Sequence, residues 1–214
     1  MATMTKTDLE ADVLGLMQLG YQDAAKYNLP KAINLAQAHL LRTMPAAFLS
    51  NCVRSHLGNL VDGAESYTFP EGFVRVIQVW VSWTSAITRT NHGLECAIRD
   101  ERSHRSKANF DKIGTRDFPV VTLGALGGWS VTPGASQDQT DGYRMKFVKD
   151  LPEITGSQPC LLNSRLRNVL IYYAANLTCR INNYRPDRAA EYMNMYKEER
   201  GLLIPKVDGH KEMQ

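Results

Sequence analysis

Apolar residues between Leu9 and Met17 recur at three- and four-residue intervals (Leu9, Val13, Leu16, Met17), which predicts an amphipathic helix. Thr7 and Glu10 stand at capping-box spacing ahead of it, and Gly20 is its natural stop. A second helix is expected after Asn28, with Pro30 in the first turn, where a missing N–H costs nothing. Its inner face is Ile33, Ala36, Leu40 and Met44, and Pro45 ends it. A short polar connection joins the two, so antiparallel packing is the default.

From about Glu65 the period changes. Tyr67 and Phe69 lead through Pro70-Glu71-Gly72 into Phe73 to Trp83, a run rich in Val, Ile and Trp that reads as a strand. Val120 to Leu123, Trp129 to Thr132 and Tyr143 to Lys149 read as further short strands. In the last of these Tyr143, Met145 and Phe147 alternate with Arg144, Lys146 and Val148. The cluster Gly124 to Gly128 lacks the Gly-Lys-Ser/Thr of a phosphate loop and is followed by a strand, so a hairpin turn is favoured. Asp100 to Phe110 could hold a short surface helix.

Helix returns after Asn163, a good N-cap. Leu166, Val169, Leu170, Tyr173, Ala174, Leu177 and Ile181 make the longest apolar stripe in the chain. Arg185-Pro186-Asp187 opens a final helix with Ala189, Met193 and Tyr196 inside, closed by Gly201. The expected class is α+β, mainly helical. Two N-terminal and two C-terminal helices form one bundle with a small inserted β-rich block and a C-terminal extension. In residues, the domain spans 1–201, with the bundle from 7–50 and 163–201, the insertion from about 65–150, and the extension at 202–214.

Composition adds exclusions. The 214 residues carry 25 basic and 22 acidic side chains, a net charge of +3 that is small for a dedicated nucleic-acid binder. No run is long enough to span a bilayer, and Asp8, Glu10 and Asp12 stand where a signal peptide would be apolar, so no membrane partner is expected. Four scattered cysteines make no disulfide framework. Cys52 with His56 and His92 with Cys96 are each four apart, but lack a CxxC knuckle, so no metal is expected. Cys179 beside the apolar stripe reads as packing. No Gly-x-Ser-x-Gly elbow or cysteine-hydrolase pattern is present, so no catalytic residue and no cofactor is assigned, and the chain is expected not to be an enzyme.

Two segments remain as candidate contacts. Arg99, Arg102, Arg105, Lys107, Lys112 and Arg116 face only Asp100, Glu101 and Asp111, so this stretch carries as much net charge as the whole chain. It reads either as a surface for phosphates or an acidic partner, or as a solvated segment. With Phe110 its only aromatic residue, base stacking is not expected. Leu202, Leu203, Ile204, Pro205, Lys206 and Val207 form an apolar string after the expected helix stop. It either folds back on its own bundle or inserts into a neighbour.

Taken in order, these features resemble the head–tail adaptor (connector) proteins of tailed bacteriophages, the ring below the portal. An N-terminal helical pair ends in a proline-containing segment. Tyr67-Thr68-Phe69-Pro70-Glu71-Gly72-Phe73-Val74-Arg75-Val76 is similar to that family's approach to its first long strand. Phe118-Pro119-Val120 through Trp129-Ser130-Val131-Thr132-Pro133 resembles its hairpin. Tyr143 to Pro152 followed by Leu170-Ile171-Tyr172-Tyr173-Ala174-Ala175 resembles its passage from strand to core helix. The likeness runs from about Asp8 to Gly201. The resemblance implies a non-enzymatic virion protein at the head–tail junction, made in the host cytoplasm. Its implied partners are the portal, a tail or nozzle protein and further copies in a ring, usually dodecameric, with genome DNA passing non-specifically through the lumen during ejection. It further implies that the string Leu202 to Val207 docks on the portal and that Arg99 to Arg116 makes an exterior or tail-facing contact. The alternative class is a nucleic-acid-binding accessory protein using residues 99–116.

Overall fold

The computed structural model describes residues 4–20, 23–100, 114–124, 127–155 and 160–204. It is a mixed helix-and-sheet protein whose contacts divide it into two compact units. One comprises Met1–Cys52 with Leu151–Gln214, and the other Val53–Asp150. Helices from both ends of the chain therefore share one unit, and the inserted unit begins at Val53.

In the helical unit, α1 spans Lys6–Met17. Its capping box is Thr5 with Asp8, not Thr7 with Glu10: the Asp8 N–H donates to Thr5 Oγ1 (3.2 Å) and the Thr5 N–H donates to Asp8 Oδ2 (3.0 Å). The helix starts early because the Cys160 N–H donates to the Met4 carbonyl (2.7 Å), which holds the preceding residue extended. Glu10 is instead nearly buried beside Lys6 (3.5 Å). The left-handed residue ending α1 is Gln18, not Gly20, whose N–H is taken by Asp23 Oδ2 at the short helix α2, Asp23–Lys26.

Helix α3 spans Leu29–Thr43 with Pro30 in its first turn, and Ile33, Ala36, Leu40 and the following Met44 are all buried. Asn28 precedes it in the left-handed region (φ 50°), without a side-chain cap bond. A 3-10 segment, Ala46–Cys52, then leads out of the unit. On the return, Ile154 N–H donates to Asn34 Oδ1 (2.8 Å) and Gln37 Nε2 donates to the Pro152 carbonyl (3.1 Å), laying residues 152–154 along α3.

Asn163 caps a 3-10 turn, Ser164–Leu166, through the Arg165 N–H (3.0 Å), and α4 follows over Arg167–Ile181. Helix α4 touches α1, α3 and α5 (Pro186–Leu203). Its buried surface is accordingly wider than one stripe. Ile171, Ala175, Asn176, Thr178 and Cys179 are buried along with Val169, Leu170 and Ala174, while Ile181 turns outward. Small residues let neighbours approach on several sides, which the apolar stripe alone does not reveal. At its start Arg167 Nε donates to Asp12 Oδ2 of α1 (2.7 Å). His39 of α3 stacks on Tyr173 of α4 (4.1 Å, 11°), and its Nε2 lies 3.0 Å from the Tyr196 hydroxyl of α5.

Helix α5 does not stop at Gly201. It runs on to Leu203, with the Ile204 N–H donating to the Arg200 carbonyl (3.0 Å). The half-buried Leu203 and Ile204 hold the last turn against the roughly 1 kcal/mol that a helical glycine costs.

The inserted unit is two four-stranded sheets. One has the order β1 (Val53–Leu60), β8 (Gln139–Lys149), β3 (Phe73–Val81), β4 (Leu94–Glu95), all antiparallel. The other runs β2 (Tyr67–Thr68), β7 (Gly128–Thr132), β6 (Val120–Leu123), β5 (Ala97–Asp100), with β5 parallel to β6. Val79, Val81, Met145 and Phe147 from the first sheet meet Val121, Trp129 and Val131 from the second in one core. The β6–β7 hairpin forms as expected, with Gly124 N–H donating to the Gly128 carbonyl (2.8 Å).

Strand β1 was not anticipated. Arg54 to Leu57 are exposed on both faces, so the segment has no alternation to read and is a strand because β8 pairs with it. Strand β8 begins four residues before Tyr143. Tyr143 lies across Gly58 of β1, edge-on to Trp129 (4.8 Å, 76°). A Cβ at Gly58 would come within 2.5 Å of that ring.

Gly58→Ala is therefore expected to lower unfolding stability by about 1–3 kcal/mol, read by urea denaturation. A change within about 0.5 kcal/mol would contradict this packing. Burial, with Arg200 and Arg42 adding repulsion, holds His39 below its ordinary 6.5, so the fold favours the neutral ring. The unfolded chain binds that proton more readily, so the contribution is complete above about pH 6.5 and is lost as the pH falls through the depressed value. The urea midpoint should drop between pH 7.5 and 5, less so in His39→Gln. An NMR titration of His39 centred at or above 6.5 would refute the assignment.

Candidate interaction surfaces

The apolar string lies partly on a helix. Leu202 and Leu203 form the last turn of α5, and Ile204 caps it, so the expectation that all three stand outside a helical frame is corrected. Leu202 is 81% exposed at the helix end. Pro205, Lys206 and Val207 lie outside the described residues.

The basic stretch is divided. Arg99 sits in β5, opposite Thr122 of β6. Arg116 lies in a turn closed by reciprocal backbone bonds between Thr115 and Phe118 (both 3.1 Å). Its guanidinium donates to Ser136 Oγ, and its carbonyl accepts the Trp83 indole N–H (3.1 Å). Phe118 projects from this pinned turn, 78% exposed. Arg102, Arg105, Lys107 and Lys112 lie outside the described residues. Of the surface helix expected over Asp100 to Phe110, Asp100 closes β5 and the rest lies outside them too.

Cys96 is buried, and burial, with Glu95 adding to it, pushes its thiol up to about 12. His92 is exposed, its Nδ1 3.5 Å from Arg144 Nη2. Cys52 is buried while His56 is exposed on β1. Burial also raises the thiols of Cys160 and Cys179, and Cys179 packs under α5 as its sequence position suggests. A raised thiol pKa leaves little thiolate, the form that attacks or ligates. Between α4 and α5 an open groove of about 460 Å³ is lined by Asn176, Arg180, Pro186 and Met193. Asn176 donates to the Ala189 carbonyl (2.6 Å) at its floor.

A surface that sequence reading missed is the outer face of the first sheet. Strand register places Leu57, Arg144, Trp80 and Glu95 in one row across β1, β8, β3 and β4. The next row is Ser55, Lys146 and Gln78. Directly opposed residues share a face; in the alternate row Met145 and Val79 lie in the core, while His56 at its β1 end is exposed. The Arg144 guanidinium lies 4.5 Å from the Trp80 ring, and Gln78 Nε2 donates to Glu95 Oε1 (2.7 Å). The signal in the sequence was the alternation of Arg144 and Lys146 in β8, but their partner Trp80 is sixty-four positions away. A half-buried Trp–Arg pair edged by an exposed aliphatic residue is a composition enriched at protein contacts.

The SU10 adaptor protein family matches over residues 4–213. The chain belongs to that family. No curated protein matches the chain. SU10 adaptors are phage adaptor proteins, which supports a structural role among phage head and tail components and a place in the virion. The resemblance read from residues is thereby met at the level of a phage adaptor. Among the described residues of this adaptor, no helix is long and apolar enough to cross a membrane.

With all four cysteines of the adaptor buried, the native chain at pH 8 should react slowly with an aromatic disulfide reagent at every thiol. Four equivalents should appear promptly in denaturant. One fast equivalent in the native chain would contradict the burial.

Proposed function

We propose that this adaptor joins the portal to the tail of a tailed phage as a ring, twelvefold by resemblance, through whose lumen the genome passes during ejection. The family match over residues 4–213 is the observation that carries this reading. The role is non-enzymatic: each copy supplies modest surfaces, and closed cyclic symmetry multiplies them into a seal. Leu202, 81% exposed on the last turn of α5, supports assigning portal docking to Leu202–Val207, with the anchor now starting on a rigid helix end. Residues 99–116 make the exterior or tail-facing contact, where the pinned, exposed Phe118 beside Arg116 provides an aromatic anchor.

The deciding experiment mixes the purified chain with its portal and images the product. A symmetric ring added at the portal's tail-side end is the expected outcome. No ring, together with duplex binding by the isolated chain that weakens steeply with salt, would favour the nucleic-acid-binding alternative. A chain truncated after Gly201 should bind portal at least about tenfold more weakly, the loss of roughly 1.4 kcal/mol. Equal binding would refute the docking assignment.

A further inference from the structure

The inserted unit carries two surfaces of opposite charge that cannot meet within one copy. The outer face of the first sheet presents Arg144 over Trp80, the exposed Lys146 and the exposed Leu57. Among the described residues no carboxylate lies within ion-pair distance of Arg144 or Lys146, and the one acid in their rows, Glu95, is held by Gln78. The end of the unit where Leu60 pairs with Gln139 is acidic. There the exposed loops after β1 and before β8 carry Asp62, Glu65 and Asp138 beside the exposed Val61. The Asp62 N–H donates to Asp138 Oδ1 (2.9 Å), which ties the two loops into one edge. Among the described residues no cation pairs with these carboxylates, and Arg116 is engaged with Ser136. Leu57 pairs with Arg144 and Leu60 with Gln139, so at least three strand residues, about 10 Å at roughly 3.4 Å each, separate the face from the edge, beyond ion-pair reach.

We propose that the acidic edge Val61–Glu65, with Asp138, docks on the Trp80–Arg144–Lys146 face of a second copy. Each surface offers one exposed aliphatic residue beside its charges: Val61 on the edge and Leu57 on the face. Opposite charges then steer the encounter and fix register, while the apolar residues and Trp80 supply the desolvated centre. Because the two surfaces differ, the contact is heterologous, and repetition of a heterologous contact closes a ring or extends a filament. The inference rests on the ring-adaptor reading and names the partner surface within it.

The test uses charge exchange in the full chain, with ring formation on the portal as readout. Arg144→Glu with Lys146→Glu reverses the face. Asp62→Lys with Glu65→Lys reverses the edge and spares Asp138, whose carboxylate holds the loops together. Each reversed chain should need at least about tenfold more protein to fill a ring. Their equimolar mixture, in which every contact again joins opposite charges, should return to within about threefold of the wild-type chain. Melting temperatures equal to wild type certify the fold. If Arg144→Glu melts early because the Trp80 contact is lost, Lys146→Glu alone replaces it in the same mixing test. Folded variants that assemble as well as wild type, or a mixture no better than its parts, overturn this interface while leaving the adaptor reading intact. A wild-type chain that forms no ring on the portal overturns both. Loss on reversing the face with no rescue by the reversed edge, accompanied by loss of duplex retention, assigns the face to DNA and also overturns the proposal.

Discussion

Everything in this chain depends on the pairing of β1 with β8. Val53 and Val148 are opposed in that ladder, so the chain leaves the helical unit and returns to it on adjacent strands, about 5 Å apart. An insertion whose ends meet costs its host little, because the host's two segments are joined as if by a short loop. Helices separated by roughly a hundred residues can then share one core, with α4 as the element against which α1, α3 and α5 pack. The same ladder anchors β8, which carries Tyr143, Met145 and Phe147 inward and Arg144 and Lys146 outward.

Where one strong local cause determined an element, the sequence was legible. Pro30 and the Ile33–Met44 face defined α3, β-branched runs defined β6 and β7, and Asn163 marked the turn into α4. Elements set by distant partners were not. Arg54 to Asn59 hold no apolar alternation, so nothing local separates β1 from a loop. Thr5 outcompetes Thr7 as N-cap through the bridge from Met4 to Cys160, a partner more than 150 positions away. Gly201 looks like a stop, yet packing of Leu203 and Ile204 carries α5 past it. A glycine permits a left-handed cap without requiring one.

The candidate surfaces divide the same way. An apolar string at the chain end is visible from composition, and Leu202 is in fact exposed. The Trp80–Arg144 pair is invisible in sequence, since it exists only through the register of β3 against β8. Of the basic stretch, the two described members have settled positions, Arg99 in a ladder and Arg116 against Ser136.

Net charge alone was a poor guide to what the surfaces do. On the proposed reading, a total of +3 suits a chain that surrounds a moving polyanion without gripping it. That small total also contains opposed local fields, carboxylates at one end of the inserted unit and cations on its outer sheet face. A small sum of segregated charges would favour the proposed contact with another copy, in which each surface finds its complement and the charge per copy stays low. A uniform basic surface would do the reverse, repelling its own copies and holding the genome. On the proposed ring reading, charge segregation of this kind lets copies join without a basic surface that would hold the genome, and Trp80 under Arg144 marks where the apolar centre of that contact would lie.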